Sequence, residues 1–267
     1  MIGQRITSAL VIAAILLAAV FLLPASGLVA VLSVVLLAAA WEWSALAAGP
    51  RPALRWSFLA VTPAACALLW FASGSPGGLM ACMVAGLALW AVALLWLVIA
   101  PQGQTHVTVF IAGVVAISVA WVSLARISLD LPRGNLWVLY ALLIVWVADS
   151  GAYFVGRSWG VSKLAPRISP GKTWAGLWGG LLAAALLAAV VAMVFRLPMA
   201  RLVMLTVVVA GYSVIGDLTE SLCKRFAGMK DSGTLIPGHG GVLDRFDSLL
   251  AAAPCLLSGL LTIQGLR

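Results

Sequence analysis

Residues 174–195 read WAGLWGGLLAAALLAAVVAMVF, without one charged side chain. Roughly 20 such residues are what a helix needs to cross the hydrocarbon core of a bilayer. On either side, apolar runs of the same kind recur at 6–23, 27–48, 57–72, 78–100, 107–125, 135–153, 199–216 and 248–265, separated by Pro, Gly and charge clusters. With 174–195 they make nine. The third is short enough to be tilted or re-entrant. The first has a longer apolar core than a secretory signal and eight further runs follow it, so it reads as an uncleaved helix. Every run is continuous rather than alternating, which argues against a transmembrane barrel. The expected fold is an all-α integral membrane protein, a polytopic bundle of about nine transmembrane helices.

Composition points the same way. Of 267 residues, 64% are hydrophobic and 9% charged, with a mean hydropathy of +1.14, whereas a soluble domain carries about 25% charged residues. The four cysteines, Cys66, Cys82, Cys223 and Cys255, have no paired or CxxC spacing, so neither a disulfide framework nor a zinc site is indicated. The net charge of +8 fits membrane topology and anionic headgroups, and no basic block interleaved with aromatics suggests nucleic-acid binding. With the N-terminus cytoplasmic, that side receives eleven basic residues and the opposite side five: Arg126, Arg133, Arg196, Arg201 and Arg267. The bias favours a cytoplasmic N-terminus. It also gathers both charge-rich connections, 154–173 and 217–247, on the cytoplasmic face, where they can build one site.

Six of the eight acidic residues, all but Glu42 and Asp130, fall between positions 149 and 247, as do ten of the 16 basic ones. The chain therefore divides into a transmembrane scaffold, 1–134, and a working region, 135–267. Along a continued helix Asp217, Glu220, Ser221 and Lys224 share one face. A Glu220–Lys224 pair suits any surface helix, but Asp217 at the boundary of a spanning segment is costly unless functional. Downstream come Lys230, then His239-Gly240-Gly241, whose glycines let backbone N–H groups approach an anion. Asp244 and Asp247 follow at i, i+3 beside Arg245, as carboxylates of the kind Mg²⁺ prefers. Asp247 alone is equally ordinary as a helix N-terminal acid, but the run as a whole is not. The third cluster holds Asp149, inside an apolar run, and Ser169-Pro170-Gly171-Lys172-Thr173. This is not a Walker A loop, since Pro166 stands where its first glycine belongs. A helix N-terminus bearing Ser169 and Lys172 can still bind phosphate, and Ser169-Pro170 serves equally as a helix cap. These residue types suit metal-assisted phosphoryl or nucleotidyl transfer, which needs little from a protein nucleophile.

The run SLCKRFAGMKDSGTLIPGHGGVLDRFD, 221–247, follows S-x-x-K-R-x4-K-D and then P-x-H-G-G-x-x-D-R-x-D. It closely resembles the signature of the phosphatidate cytidylyltransferase (CDP-diacylglycerol synthase) family. ADSGAYFVGRSWGVSKL, 148–164, and SPGKTW, 169–174, are similar to that family's second block, and Trp41-Glu42-Trp43 is a weaker match. The resemblance implies condensation of CTP with phosphatidic acid at a multi-pass cell-membrane site facing the cytoplasm. It implies that Asp217, Asp244 and Asp247 hold or orient Mg²⁺, with a second metal ion left open. Lys224, Arg225, Lys230, Arg245 and His239 would contact triphosphate or lipid phosphate, and Lys172 with Ser169 would complete the anion site. Ser221, Gly240, Gly241 and Asp149 join the substrate-binding set. One departure is Ala175, where the family commonly has Glu. The competing expectations are a CTP-dependent lipid kinase, a cytidylyltransferase for another lipid acceptor, and a transporter using Asp149 and Glu42 as an ion path. A homodimer is left open.

Overall fold

Proline and glycine punctuate the chain. Pro52 and Pro76 open helices at a position where the N–H that proline lacks would have no intrahelical acceptor, and Gly49, at φ 55°, and Gly160 close the helices before them. The computed structural model describes residues 2–99, 101–236 and 240–265. Among these, nine helices run α1 (Ile2–Leu22), α2 (Ala25–Ala48), α3 (Pro52–Ala72), α4 (Pro76–Ile99), α5 (His106–Asp130), α6 (Gly134–Trp159), α7 (Trp174–Phe195), α8 (Met199–Phe226) and α9 (Leu243–Gly265). A two-stranded antiparallel hairpin, β1 (Lys163–Ala165) and β2 (Ser169–Thr173), stands between α6 and α7. Helices α2 to α9 are each long and apolar enough to cross a membrane, while the apolar stretch of α1 is Leu10–Leu22. Exposed Leu22, Phe71, Val98 and Met193 would be a liability in water and are normal against lipid. The chain is an all-α, multi-pass membrane protein with one small hairpin.

Helix α6 lies along α7, α8 along α9, and α2 along α5, with α5 and α9 the most enclosed. Close approach of α6 to α7 requires glycine. A Cβ on Gly180 would stand 2.7 Å from the Ala148 carbonyl oxygen, and one on Gly151 would stand 2.8 Å from that of Gly179. Gly179-Gly180 is thus a close helix contact. Alternating helix directions place the α2–α3, α4–α5, α6–α7 and α8–α9 connections at one end. His106 ties three of them together there: Nδ1 lies 2.8 Å from the Ala47 carbonyl oxygen, and its ring packs on Phe226 with centroids 5.1 Å apart. At the other end Arg126 pairs with Asp130 and donates to the Trp70 carbonyl.

Several boundaries differ from the sequence expectation. The third run is no short segment: α3 has 21 residues and begins at Pro52, since Leu54 to Trp56 continue the helix although Arg55 lowers the local hydropathy. The connection 154–173 shrinks, because α6 continues to Trp159. Ser169 and Pro170 do not cap α7; they lie on β2, Ser169 opposite Ala165 and Thr173 opposite Lys163. The cap is Thr173, whose hydroxyl accepts from the Gly176 amide at 3.1 Å. Likewise 217–247 is not all loop. Helix α8 has 28 residues, about 42 Å at 1.5 Å per residue, so its last two turns outrun a hydrocarbon core of about 30 Å.

Candidate active site

Two polar clusters form at the end where these connections meet. The first lines a cavity of about 660 Å³ enclosed by α6, α7, α8 and the hairpin. Helix α6 projects Asp149, Tyr153 and Arg157 into it, the hairpin Lys163 and Lys172, and α8 Asp217, while Leu177, Leu181 and Val214 form an apolar inner wall. Lys172 reaches Asp217 with Nζ 2.5 Å from Oδ2, and the Ser221 hydroxyl donates to Oδ1 of the same carboxylate at 3.3 Å. Arg157 donates to the Tyr153 hydroxyl at 2.7 Å. The hairpin sets these lysines. The Trp174 amide donates to the Ser162 carbonyl at 3.0 Å, and Gly160 leaves room for Thr173, whose hydroxyl would stand 2.7 Å from a Cβ there. Ala175 is not in the lining.

The second cluster is centred on Lys224. Its Nζ lies 2.5 Å from Glu220 Oε2 and 2.6 Å from Asp244 Oδ1. The other Asp244 oxygen accepts from the backbone amides of Ser232, at 3.0 Å, and Gly241, at 2.8 Å. Both oxygens of Asp244 are therefore engaged inside the protein, clamping the α8–α9 connection onto the first turn of α9. The anion that Gly241 approaches with its N–H is this carboxylate. Gly240 turns the chain at φ 84°, in the left-handed region that favours glycine. Asp247 is buried, and its Oδ1 accepts from the Ser248 amide at 2.6 Å.

A second cavity, of about 430 Å³, lies between α1, α6 and α9, lined by apolar Leu10 and Leu16 and by Asp149, Asp244, Arg245 and Asp247. Asp149 lines both cavities, so it stands where the two clusters meet. Of the expected residues, Asp149, Lys172, Asp217, Ser221, Lys224, Gly240, Gly241, Asp244, Arg245 and Asp247 are gathered here. Others are not. Ser169 is on β2 outside the lining, Lys230 is exposed on the connection, and Arg225 donates to the Ile168 carbonyl at 3.3 Å beside a separate, smaller cavity. His239 lies outside the described residues.

Tyr153, Arg157 and Lys163 stood in the sequence only as part of the 148–164 block, without a site role; the turn of α6 and the hairpin bring them to the cavity. Glu42 stood there as a weak family match and an ion-path candidate, and Ser232 had no role. Glu42, 3% exposed on α2, accepts from the Ser232 hydroxyl at 3.0 Å and the Leu243 amide at 2.8 Å. The available signal was a lone carboxylate inside an apolar run, which is expensive without a partner.

Carboxylates and phosphate oxygens are the donor set Mg²⁺ takes, commonly through one or two carboxylates. Asp149 and Asp217 face one cavity and fit that pattern. Among the described residues no three His, Cys, Asp or Glu side chains converge as a ready metal cluster. Asp244, with both oxygens engaged, fits the role of clamp better than that of ligand.

Comparison with known proteins gives the family. The cytidylyltransferase family pattern matches residues 3–262. The phosphatidate cytidylyltransferase of Haemophilus influenzae is 35% identical over 284 aligned residues, covering 95% of this chain and 96% of that protein. That of Pseudomonas aeruginosa is 37% identical over 261, covering 95% of each. The Bacillus subtilis protein of the same name is 46% identical over 125 residues, 46% of either chain. Matched over residues 3–262 by the family pattern and over 95% of its length by two of these relatives, the chain belongs to the cytidylyltransferase family.

Proposed function

We propose that this protein is a nucleotidyltransferase that condenses CTP with phosphatidic acid, forming CDP-diacylglycerol and pyrophosphate for phospholipid synthesis. The relatives' names support the substrates. The observation that carries the reading is the 660 Å³ cavity, with Arg157, Lys163 and Lys172 at its polar mouth and leucines behind. Such a cavity suits a nucleoside triphosphate arriving from water and a phosphate-headed lipid arriving from the bilayer. The basic residues on the connections support a cell-membrane site open to the cytoplasm.

In this reading a phosphate oxygen of phosphatidate forms a bond to the α-phosphorus of CTP. The bond from that phosphorus to the pyrophosphate oxygen breaks, and the electron pair leaves with pyrophosphate. Catalysis of this kind rests on positioning and charge neutralisation. Lys163, Lys172 and Arg157 supply positive charge to the triphosphate. On binding, Lys172 exchanges Asp217 for a phosphate oxygen, and the freed Asp217 carboxylate and Asp149 are the residues that would hold Mg²⁺. The cation would supply further charge neutralisation on the phosphate oxygens. Lys224, held by Glu220 and Asp244, keeps the α8–α9 connection and Asp247 in register beneath the cavity.

The test is purified protein in mixed micelles with Mg²⁺, a panel of nucleoside triphosphates and a panel of lipids, read by mass spectrometry. CDP-diacylglycerol is expected from CTP with phosphatidate alone. Turnover of diacylglycerol or another acceptor in place of phosphatidate would overturn the assignment.

A further inference from the structure

We propose that Glu42 is a positioning residue for the reaction: from the scaffold it sets the α8–α9 connection and the first turn of α9 in their working arrangement. The inference rests on the function proposed above only for its activity readout. Glu42 lies on α2, far in sequence from the residues it holds, and a single oxygen, Oε2, takes both bonds, from the Ser232 hydroxyl and the Leu243 amide. Leu243 is the first residue of α9. Its amide is one of the N–H groups that a helix start leaves without a backbone partner, so Glu42 caps α9 from another helix, with the charge sign that a helix N-terminus favours.

Ser232 is held twice. Its hydroxyl goes to Glu42 and its amide to Asp244, so the scaffold carboxylate and the signature carboxylate share one residue. The fit around Glu42 is tight. A Cβ on Gly233 would overlap the Glu42 carboxylate, and one on Gly241 would overlap both that carboxylate and the Ser232 hydroxyl. These two glycines are needed because the connection closes down on Glu42. Its other oxygen, Oε1, is buried and takes no hydrogen bond among the described residues. Burying a carboxylate in this way is a poor device for stability alone, and among the described residues its bonds go to the segment that carries Asp244 and Asp247.

Glu42→Ala, Glu42→Gln and Gly233→Ala separate positioning from folding. Glu42→Ala is expected to lower kcat at least tenfold, to leave KM for CTP within about twofold and the melting temperature within a few degrees, and to speed hydrogen exchange at the Leu243 amide. Glu42→Gln keeps one carbonyl oxygen able to accept both bonds, and is expected to restore most of kcat and the Leu243 protection. Gly233→Ala reaches the same contact from the other side and is expected to reproduce the kcat loss should Glu42→Ala fail to fold. Wild-type kcat in Glu42→Ala, or a melting loss that accounts for the activity loss with no rescue by Gln, would overturn the proposal. Failure of the wild-type protein to form CDP-diacylglycerol would instead refute the proposed function, and the exchange readout would still test the clamp.

Discussion

Lys224→Met removes the cation shared by two buried carboxylates. The Lys224 side chain is 11% exposed, Glu220 0% and Asp244 8%, and both ion pairs are in contact. Coulomb's law alone overstates such pairs, since all three groups have left water. The useful magnitude is the penalty for orphaning a buried charge, about 3–5 kcal/mol. Asp244 keeps its two backbone amides, so most of the penalty falls on Glu220, whose carboxylate has no hydrogen-bond donor other than Lys224 among the described residues. For a chain of this size about 1 kcal/mol shifts the melting temperature by roughly 2 °C, so the variant is expected to melt roughly 6–10 °C lower. The assay is thermal unfolding in detergent followed by tryptophan fluorescence, beside turnover. A second variant checks the reasoning. Replacing both partners, Lys224→Met with Glu220→Leu, substitutes an apolar contact for the pair, which is commonly neutral or stabilising. Melting should recover while turnover stays lost, because Lys224 also fixes Asp244. A double variant no more stable than the single one, or a single variant melting like wild type, would refute this reading.

Other outcomes follow from the same geometry. Asp217→Asn should abolish turnover while leaving the melting temperature within a few degrees, since its carboxylate is partly open to the cavity; near-normal activity would remove it from the cation site. Lys172→Met should raise KM for CTP about tenfold or more, measured by initial rates, if Lys172 passes from Asp217 to phosphate. Gly180→Val places a branched side chain against the Ala148 carbonyl where α6 meets α7. It should lower the melting temperature and turnover together, as expected of strained packing at about 1–3 kcal/mol.

The spans were readable because 174–195 and its counterparts are uniformly apolar over a bilayer's thickness, a signal that survives without any tertiary information. Their ends were not. Hydropathy falls at Asp217, yet Glu220, Leu222, Lys224 and Arg225 are good helix formers and the backbone continues to Phe226. The hairpin was hidden for a different reason. Ser169-Pro170 is chemically suited to a helix start, and only pairing with 163–165 makes it a strand. Within the site, the acidic and basic residues near α8 and α9 were found by their density. The role of Asp244 was not, because its partners Ser232 and Gly241 offer backbone amides, which leave no mark in sequence. Glu42 was separated from its partners by most of the chain, and a contact between α2 and the start of α9 has no local pattern. The glycines at 240 and 241 were read as a cradle for a foreign anion, whereas the nearest anions are the protein's own carboxylates.

The central claim is tested most directly with two labelled nucleotides. Purified protein in phosphatidate micelles with Mg²⁺ is given CTP labelled at the α-phosphate in one reaction and at the γ-phosphate in another. The α-label should enter the lipid and the γ-label should leave as pyrophosphate, both dependent on phosphatidate and both abolished by chelation of Mg²⁺ and restored by its return. Appearance of γ-label in the lipid would show phosphoryl transfer in place of nucleotidyl transfer and would contradict the assignment of this cavity to CMP transfer.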